Sequence, residues 1–458
     1  MRCNYHRCVT DAETDQPQPP TDEPVVETDD RDGVLRSWRL WIAPVIAVLV
    51  AMSAMAGLYL GSILDPVGSL TSFPIAVVND DEGTVDPTGA QQNFGAQMEA
   101  TVKEKVDPDK VSLEDLSWDD AQEKLRDGKV YGAIRVPADF TAKTLALAEG
   151  SVTSNAVERP QIIVYTNPQS GTLGSSLVTA LSKEALAEMN KQLGQQLTAA
   201  VTKQAAAAVP PLTITGTASI VLSAPIDIVT TAFQPLPTGT GMGLSAFYFA
   251  LLVLLAGFTG AMLINSLVDS TLGYIPSEIG PRVIVRKAIG LTRLRVLLIK
   301  WAIMVVTSLA VSAVYIGIAT ALDMPIDHPW TLWLFSSLAA AAVGVTALAV
   351  VSAFGTIGLL INMFVFIFLG LPSAGATTPI EAVPGFFAWL SSFEPLHQVY
   401  MGIRAILYFD ARGSAGLTHG LWMTVAGLAI GVALGVGVNW YYDHRGLARA
   451  GVQVLDKS

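Results

Sequence analysis

The sequence predicts an α-helical membrane protein of six spans, both termini cytosolic, with an extracytoplasmic α/β domain inserted between spans one and two. Three observations predict it. Of 458 residues, 51% are hydrophobic and only 15% are charged, against roughly 25% charged in an ordinary soluble domain. The apolar residues gather in runs close to the ~20 that a helix needs to cross about 30 Å of hydrocarbon. Between the first run and the others lies a mixed stretch in which short apolar segments alternate with helix starts and turns.

Residues 1–35 read as a disordered acidic cytosolic tail: Asp11 to Asp32 holds nine acids and one base, Arg31, with almost nothing to bury. Cys3, His6 and Cys8 carry the residue types of a metal site, but their short spacing, with no other His or Cys near, makes them bystanders. The first membrane anchor occupies 36–64, where Arg36 and Arg39 precede the apolar run Leu40 to Leu64. That run is longer than the roughly 7–15 residues of a signal peptide's apolar core, and no small-residue cleavage site follows it.

Residues 65–240 form the extracytoplasmic α/β domain, cysteine-free and so held by its own core. Phe73 to Asn79 reads as a buried strand, and Asp80 to Gly83 as a turn. A helix follows near 89–105, and a second begins at Ser117, a cap with acids behind it, and stops at Gly128. Val130 to Val136 and Pro160 to Thr166 are further strands, with a helix from Pro137 to about Ala148 between them. The long helix 171–208 carries one apolar stripe, Leu177, Leu181, Ala185, Met189, Leu193 and Leu197. A stalk, a dimer contact and packing on its own domain all fit that stripe. Residues 209–240, rich in Pro, Thr and Gly, lead back to the membrane.

Residues 241–445 make a five-span membrane domain, with spans near 243–268, 297–322, 331–352, 356–372 and 418–441, followed by a cytosolic tail, 446–458. Segment 372–416 is broken by Pro379, Pro384 and Pro395. Non-helical backbone cannot face lipid, so this segment lies at the outer interface or dips in as a hairpin buried against the bundle. Basic residues set the orientation: Arg36 and Arg39, then Arg282, Arg286, Lys287, Arg293, Arg295 and Lys300, then Arg445 and Arg449, all belong inside. The net charge of −11 argues against a nucleic-acid partner.

Motifs for chemistry are missing from the sequence. There is no G-x-x-x-x-G-K-[ST] phosphate loop, no H-E-x-x-H, no G-x-S-x-G, and the five histidines are scattered. This predicts no enzyme, no cofactor and no metal site. Two segments do carry a resemblance: Phe73-Pro74-Ile75-Ala76-Val77-Val78-Asn79-Asp80-Asp81-Glu82-Gly83, and Asp127 to Phe140 with Gly128, Tyr131, Ala133, Pro137 and Asp139. Both resemble the phage infection protein (YhgE/Pip-like) family, and the order of one span, an outer domain and five spans resembles the wider superfamily of type-2 ABC exporter permeases. The resemblance implies a permease-type subunit in a bacterial plasma membrane, exporting an amphipathic or hydrophobic compound with energy from a separate ATPase. A homodimer or a partner permease is implied with it. The alternative is a non-transporting scaffold or receptor in a secretion or envelope complex.

On that implication, the 269–296 loop is the candidate ATPase-coupling loop. Ser277 to Pro281 makes a turn, Glu278, Arg282, Arg286 and Lys287 are its charged residues, and the basic run behind the turn is expected as an amphipathic helix at the membrane surface. The bland reading is that these bases only set topology and bind anionic lipid. Polar residues within spans are costly and often functional. Asn265 and Asn362 are therefore candidate pathway residues, with an interhelical hydrogen bond as the competing reading. Glu394 and His397, three apart, are a candidate pair for protons or head groups, against a solvated interfacial face. Gly355, Gly358, Gly431, Gly435 and Gly437 read as close helix packing.

Overall fold

The first apolar run is a helix, α1 (Trp38–Ile63), and its residues from Val45 to Val50 are exposed along their length. This computed structural model describes residues 38–86, 89–153, 158–207, 216–447 and 449. The acidic tail with Cys3, His6, Cys8 and Arg36, residues 208–215 of the linker, and most of the 446–458 tail lie outside them. Up to Met55 the chain is one unit; everything from Ala56 onward forms another.

The α/β domain is built on a five-stranded sheet. Its strands are β1 (Phe73–Asn79), β4 (Val111–Asp115), β5 (Gly132–Val136), β6 (Gln161–Thr166) and β7 (Asp227–Ala232), in the order β4-β1-β5-β6-β7. Pairing is parallel except between β5 and β6. A two-residue pair, β2 (Thr84–Val85) with β3 (Gln91–Gln92), precedes α2 (Phe94–Lys105), so the helix expected from 89 starts at its cap Asn93. Strand alternation divides the core into two layers. Phe73, Ile75 and Ile134 face α2, α4 (Phe140–Thr153) and the 36-residue α5 (Thr172–Ala207). Ala76, Val78 and Ala133 face α3 (Trp118–Arg126).

The stripe on α5 settles into this core. Of its members, Leu177, Met189, Leu193 and Leu197 are buried there, with Leu186 beside them, while Leu181 and Ala185 are half-buried; this supports packing on its own domain over a stalk. Two strands missed in the sequence, β4 and β7, are the sheet's edges. Their patterns Val-Ser-Leu-Glu-Asp and Asp-Ile-Val-Thr-Thr-Ala are half polar because only part of each strand is covered. Segment 209–240, expected as a plain lead to the membrane, thus holds β7 and a short helix, α6 (Gly216–Ser223).

Asp81, in the first resemblance motif, ties the helices to the sheet. Buried, it accepts hydrogen bonds from the Gly95 N–H (2.9 Å) at the start of α2 and from the Thr141 N–H (3.0 Å) at the start of α4. One carboxylate thus neutralises two helix N-termini. Its neighbour Asp80 holds Arg135 at 2.7 Å, and the guanidinium lies over Trp118.

The membrane bundle contains α7 (Ser245–Thr271), α8 (Arg293–Ala321), α9 (Pro329–Phe354) and α13 (Leu417–His444). With α1, these are five helices long and apolar enough to cross a membrane. The sixth expected span, at 356–372, is instead a 14-residue piece: α10 (Thr356–Met363) running into π-helical turns over Phe364–Leu369. At 1.5 Å per residue that is about 21 Å, short of the bilayer core. Gly355 at φ 62° turns the chain off the end of α9, and Gly370 and Pro372 end the piece.

Helix α9 is the centre of the bundle. Its small residues, such as Ala339, Ala340, Ala347 and Ala349, are buried against α7, α8 and α13. The glycines expected at close helix contacts divide. A Cβ on Gly431 would run into the Thr346 hydroxyl, and Gly358 and Gly435 are crowded as well. Gly437 has open space, and Gly355 serves the turn instead.

The proline-broken segment is helical and packed against the bundle. It comprises α11 (Gly385–Ser391) and α12 (Pro395–Tyr408), and most of α12 is buried.

Candidate functional site

Polar side chains gather at the two ends of the bundle. At the end away from the sheet domain, α7 and α8 are joined by an exposed loop. Its core is a β-hairpin, β8 (Ser277–Ile279) with β9 (Arg282–Ile284), in place of the amphipathic helix expected there. Gly280, at φ 57°, turns it. Glu278, Arg282, Arg286 and Lys287 are all exposed on this loop, beside Ile279, Val283 and Ile284, which are exposed as well. Tyr274 anchors the loop's return, donating to the Ile289 carbonyl at 2.7 Å and accepting from the Leu291 N–H.

Just inside this hairpin end lies a cavity of 570 Å³ lined by Asn265, Asp269, Arg293, Lys300, Thr356 and Arg449, among others. Asp269, in the last turns of α7, is 2% exposed, and Lys300, two turns into α8, is 4% exposed. The Lys300 ammonium sits 2.7 Å from the Asp269 carboxylate and donates to the Asn265 side-chain oxygen at the same distance. Arg449 grips Asp269 with both guanidinium nitrogens, at 2.6 and 2.8 Å, and covers the Tyr274 ring. Asp443, near the end of α13, caps α8 through the Arg293 and Leu294 N–H groups.

One carboxylate therefore answers two cations inside the cavity, which leaves its lining positive. Such a site suits an anionic or dipolar head group whose apolar part lies among the helices. Lys300 and Arg449 entered the sequence reading only as bases that fix topology. Their pairing with Asp269 spans 31 and 180 residues of sequence, and no local pattern announces it.

At the sheet-domain end, contacts between domain and bundle are polar and close. Asp127, 5% exposed at the end of α3, accepts from the Ser414 hydroxyl (2.9 Å) and from Arg412 (3.4 Å) and pairs with Lys129 (3.2 Å). Burial alone would raise its carboxyl, but the bonds from Ser414 and Lys129 outweigh that and hold it below the ordinary value. Tyr131, stacked on Phe73, donates to the Glu381 carboxylate at 2.8 Å. Arg404 of α12 reaches the Ser170 carbonyl at 3.3 Å. The residues Asp127, Gly128 and Tyr131 of the second resemblance motif are thus the domain's footing on the bundle; Gly128 leaves room for Phe409.

The remaining candidates separate. Asn362, 1% exposed, donates to the Ala347 carbonyl at 2.9 Å, the interhelical bond that competed with a pathway role. Glu394 is 2% exposed, so the expected solvated face is absent. It caps α12 by accepting from the His397 N–H at 2.8 Å, while its other oxygen has no partner among the described residues. Burial pushes this carboxyl up to about 7. The His397 ring meets the Ala374 carbonyl at 2.9 Å, and burial pulls its pKa down to about 4. The two side chains serve the start of α12 separately and do not form a facing pair.

Five long apolar helices, with an α/β sheet domain between the first and the rest, define a multi-pass membrane protein. The chain belongs to the family described as "Protein of unknown function (DUF3533)", whose model matches residues 44–426. It is also similar to the "Uncharacterized protein YhgE" of Bacillus subtilis (strain 168), at 24% identity over 157 residues, 34% of this chain. That match spans 19% of the relative's own length. The crystal structure of a domain assigned to an ABC type-2 transporter of Thermotoga maritima aligns over 35% of this chain and 85% of its own, at 14% identity. Its TM-score of 0.21 is too low for its title to weigh on function.

Proposed function

We propose that the chain is the permease-type subunit of an exporter in a bacterial plasma membrane. It takes up an amphipathic compound at the hairpin end of the bundle and releases it on the side of the sheet domain. In this reading the hairpin end is cytosolic. Arg282, Arg286, Lys287, Arg293, Arg295 and Arg445 cluster there, as cytosolic flanks do. The observation that carries the reading is the 570 Å³ cavity with Lys300, Asp269 and Arg449 at its wall, because buried charge lining a cavity among spans marks a substrate path more often than a stability device.

Energy would come from a separate ATPase docking on the exposed hairpin, where Ile279, Val283 and Ile284 offer apolar contact and Arg282, Arg286 and Lys287 offer charge. Two copies of the chain, or one with a partner permease, would complete the path.

The test reverses the loop's charge. Arg286→Glu with Lys287→Glu is expected to abolish efflux and to remove a co-purifying ATPase, while membrane insertion stays at the wild-type level. Unchanged efflux by correctly inserted protein sinks the proposal. Native-membrane purification that brings down envelope or secretion proteins and no ATPase favours the scaffold reading instead.

A further inference from the structure

The sheet domain holds a second cavity, a half-open cleft of 780 Å³ between α2, the β4-β1-β5 side of the sheet and α5. Its volume lies within the roughly 300–1,000 Å³ of small-molecule pockets. Behind it lie Ile75, Val102, Val111 and Ile134, buried members of the domain's core, while Val106, Leu113, Leu181 and Ala185 are half-buried in its wall.

The rim is charged and balanced: Lys105, Lys110 and Lys191 stand with Asp107, Glu184 and Glu188. The neighbouring ion pairs, Lys103 with Glu99 and Asp115 and Lys124 with Glu114, use other residues. Val67 and Leu70 also line the cleft, a few residues past the end of α1 at Ile63, so one side adjoins the point where the chain leaves its first membrane helix.

We infer that this cleft binds a single-chain zwitterionic amphiphile. The hydrocarbon chain lies along the half-buried Val106, Leu113, Leu181 and Ala185, and the mixed rim takes both charges of the head. The inference concerns the cleft alone and holds for an exporter and for a scaffold alike.

The experiment uses the full chain in nanodiscs of anionic lipid. A lysophosphatidylcholine with a diazirine at the end of its acyl chain is added and photolysed, and adducts are mapped by mass spectrometry. Adducts are expected on peptides covering 67–75, 102–113 and 181–191. They should fall about tenfold in Ala185→Trp, which fills the wall from a partly exposed position. Leu113→Trp, on the opposite wall, repeats the blocking test should Ala185→Trp fail to insert. The equivalent lysophosphatidylglycerol is expected to label several times less. Adducts confined to α1 and the bundle, or equal cleft labelling in wild type and both tryptophan variants, overturn the site. Equal labelling by the two lipids overturns the zwitterionic assignment.

Discussion

The two ends of the bundle solve the same problem, charge next to a membrane, in opposite ways. At the sheet-domain end Asp127 has three partners in hydroxyl and cationic groups, and Tyr131 has Glu381, with side chains interlocked between domain and bundle. At the hairpin end Lys300 and Asp269 are just as buried and Arg449 half-buried, but they face a 570 Å³ cavity and carry an unbalanced charge. The first arrangement fastens; the second borders an open space. The comparison teaches that burial of charge alone does not identify a site: an adjoining space and a charge imbalance do.

The sharpest way to break the comparison is Asp269→Ala. It leaves the buried Lys300 and the half-buried Arg449 without their acid, and should lower stability by about 3–5 kcal/mol, read as a fall in the thermal midpoint of the purified protein. A change under about 1 kcal/mol would mean that the cavity's charges are solvated like surface pairs.

Glu394 comes next. Its folded pKa of about 7 lies above the ordinary 4.5, so the folded state holds the proton more tightly. The sign follows: stability is full below about pH 4.5, declines as pH rises toward 7, and by pH 8 has lost on the order of 3 kcal/mol. Thermal midpoints taken from pH 5 to pH 8 should show this decline in wild type and a flatter profile in Glu394→Gln, which retains the cap oxygen.

For the fastened end, Asp127→Ala should cost about 2 kcal/mol. Combined with Ser414→Ala in a double-mutant cycle, it should show a coupling of about 1 kcal/mol. Because the Asp127 carboxyl is held below its ordinary value, this footing should be indifferent to pH down to the carboxylate range and weaken only below it. The smallest effect belongs to Asn362→Leu, a single interhelical bond worth about 0.6–1.7 kcal/mol. Loss of transport without that small loss of stability would restore Asn362 to the pathway.

Much of the architecture was legible because it rests on runs. The long apolar stretches other than 356–372, the Ser117 cap and most of the stripe on α5 are local patterns that lie where their period predicts. What escaped depends on contact at a distance. The edge strands β4 and β7 are half exposed and so lack a buried pattern. The hairpin at 277–284 was hidden because its apolar residues stand exposed among bases and show no helical or strand period. Asp127 meets Ser414 across 287 residues, and Arg449 meets Asp269 across 180. Lys300 was visible only as a topology marker; its depth became apparent when α8 was seen to start at Arg293, leaving Lys300 two turns inside the helix.

The short piece Thr356–Leu369 has a consequence for how the protein can yield. Every other crossing of the bundle rests on an unbroken ladder of backbone bonds, but this one stops at about two thirds of the distance. Beyond it the barrier is assembled from separate pieces, with Glu394 close by Gly370 and the His397 ring on the Ala374 carbonyl. A wall of that kind can be breached by releasing a few side chains, while every spanning helix stays wound, so local opening there costs far less than unfolding a span.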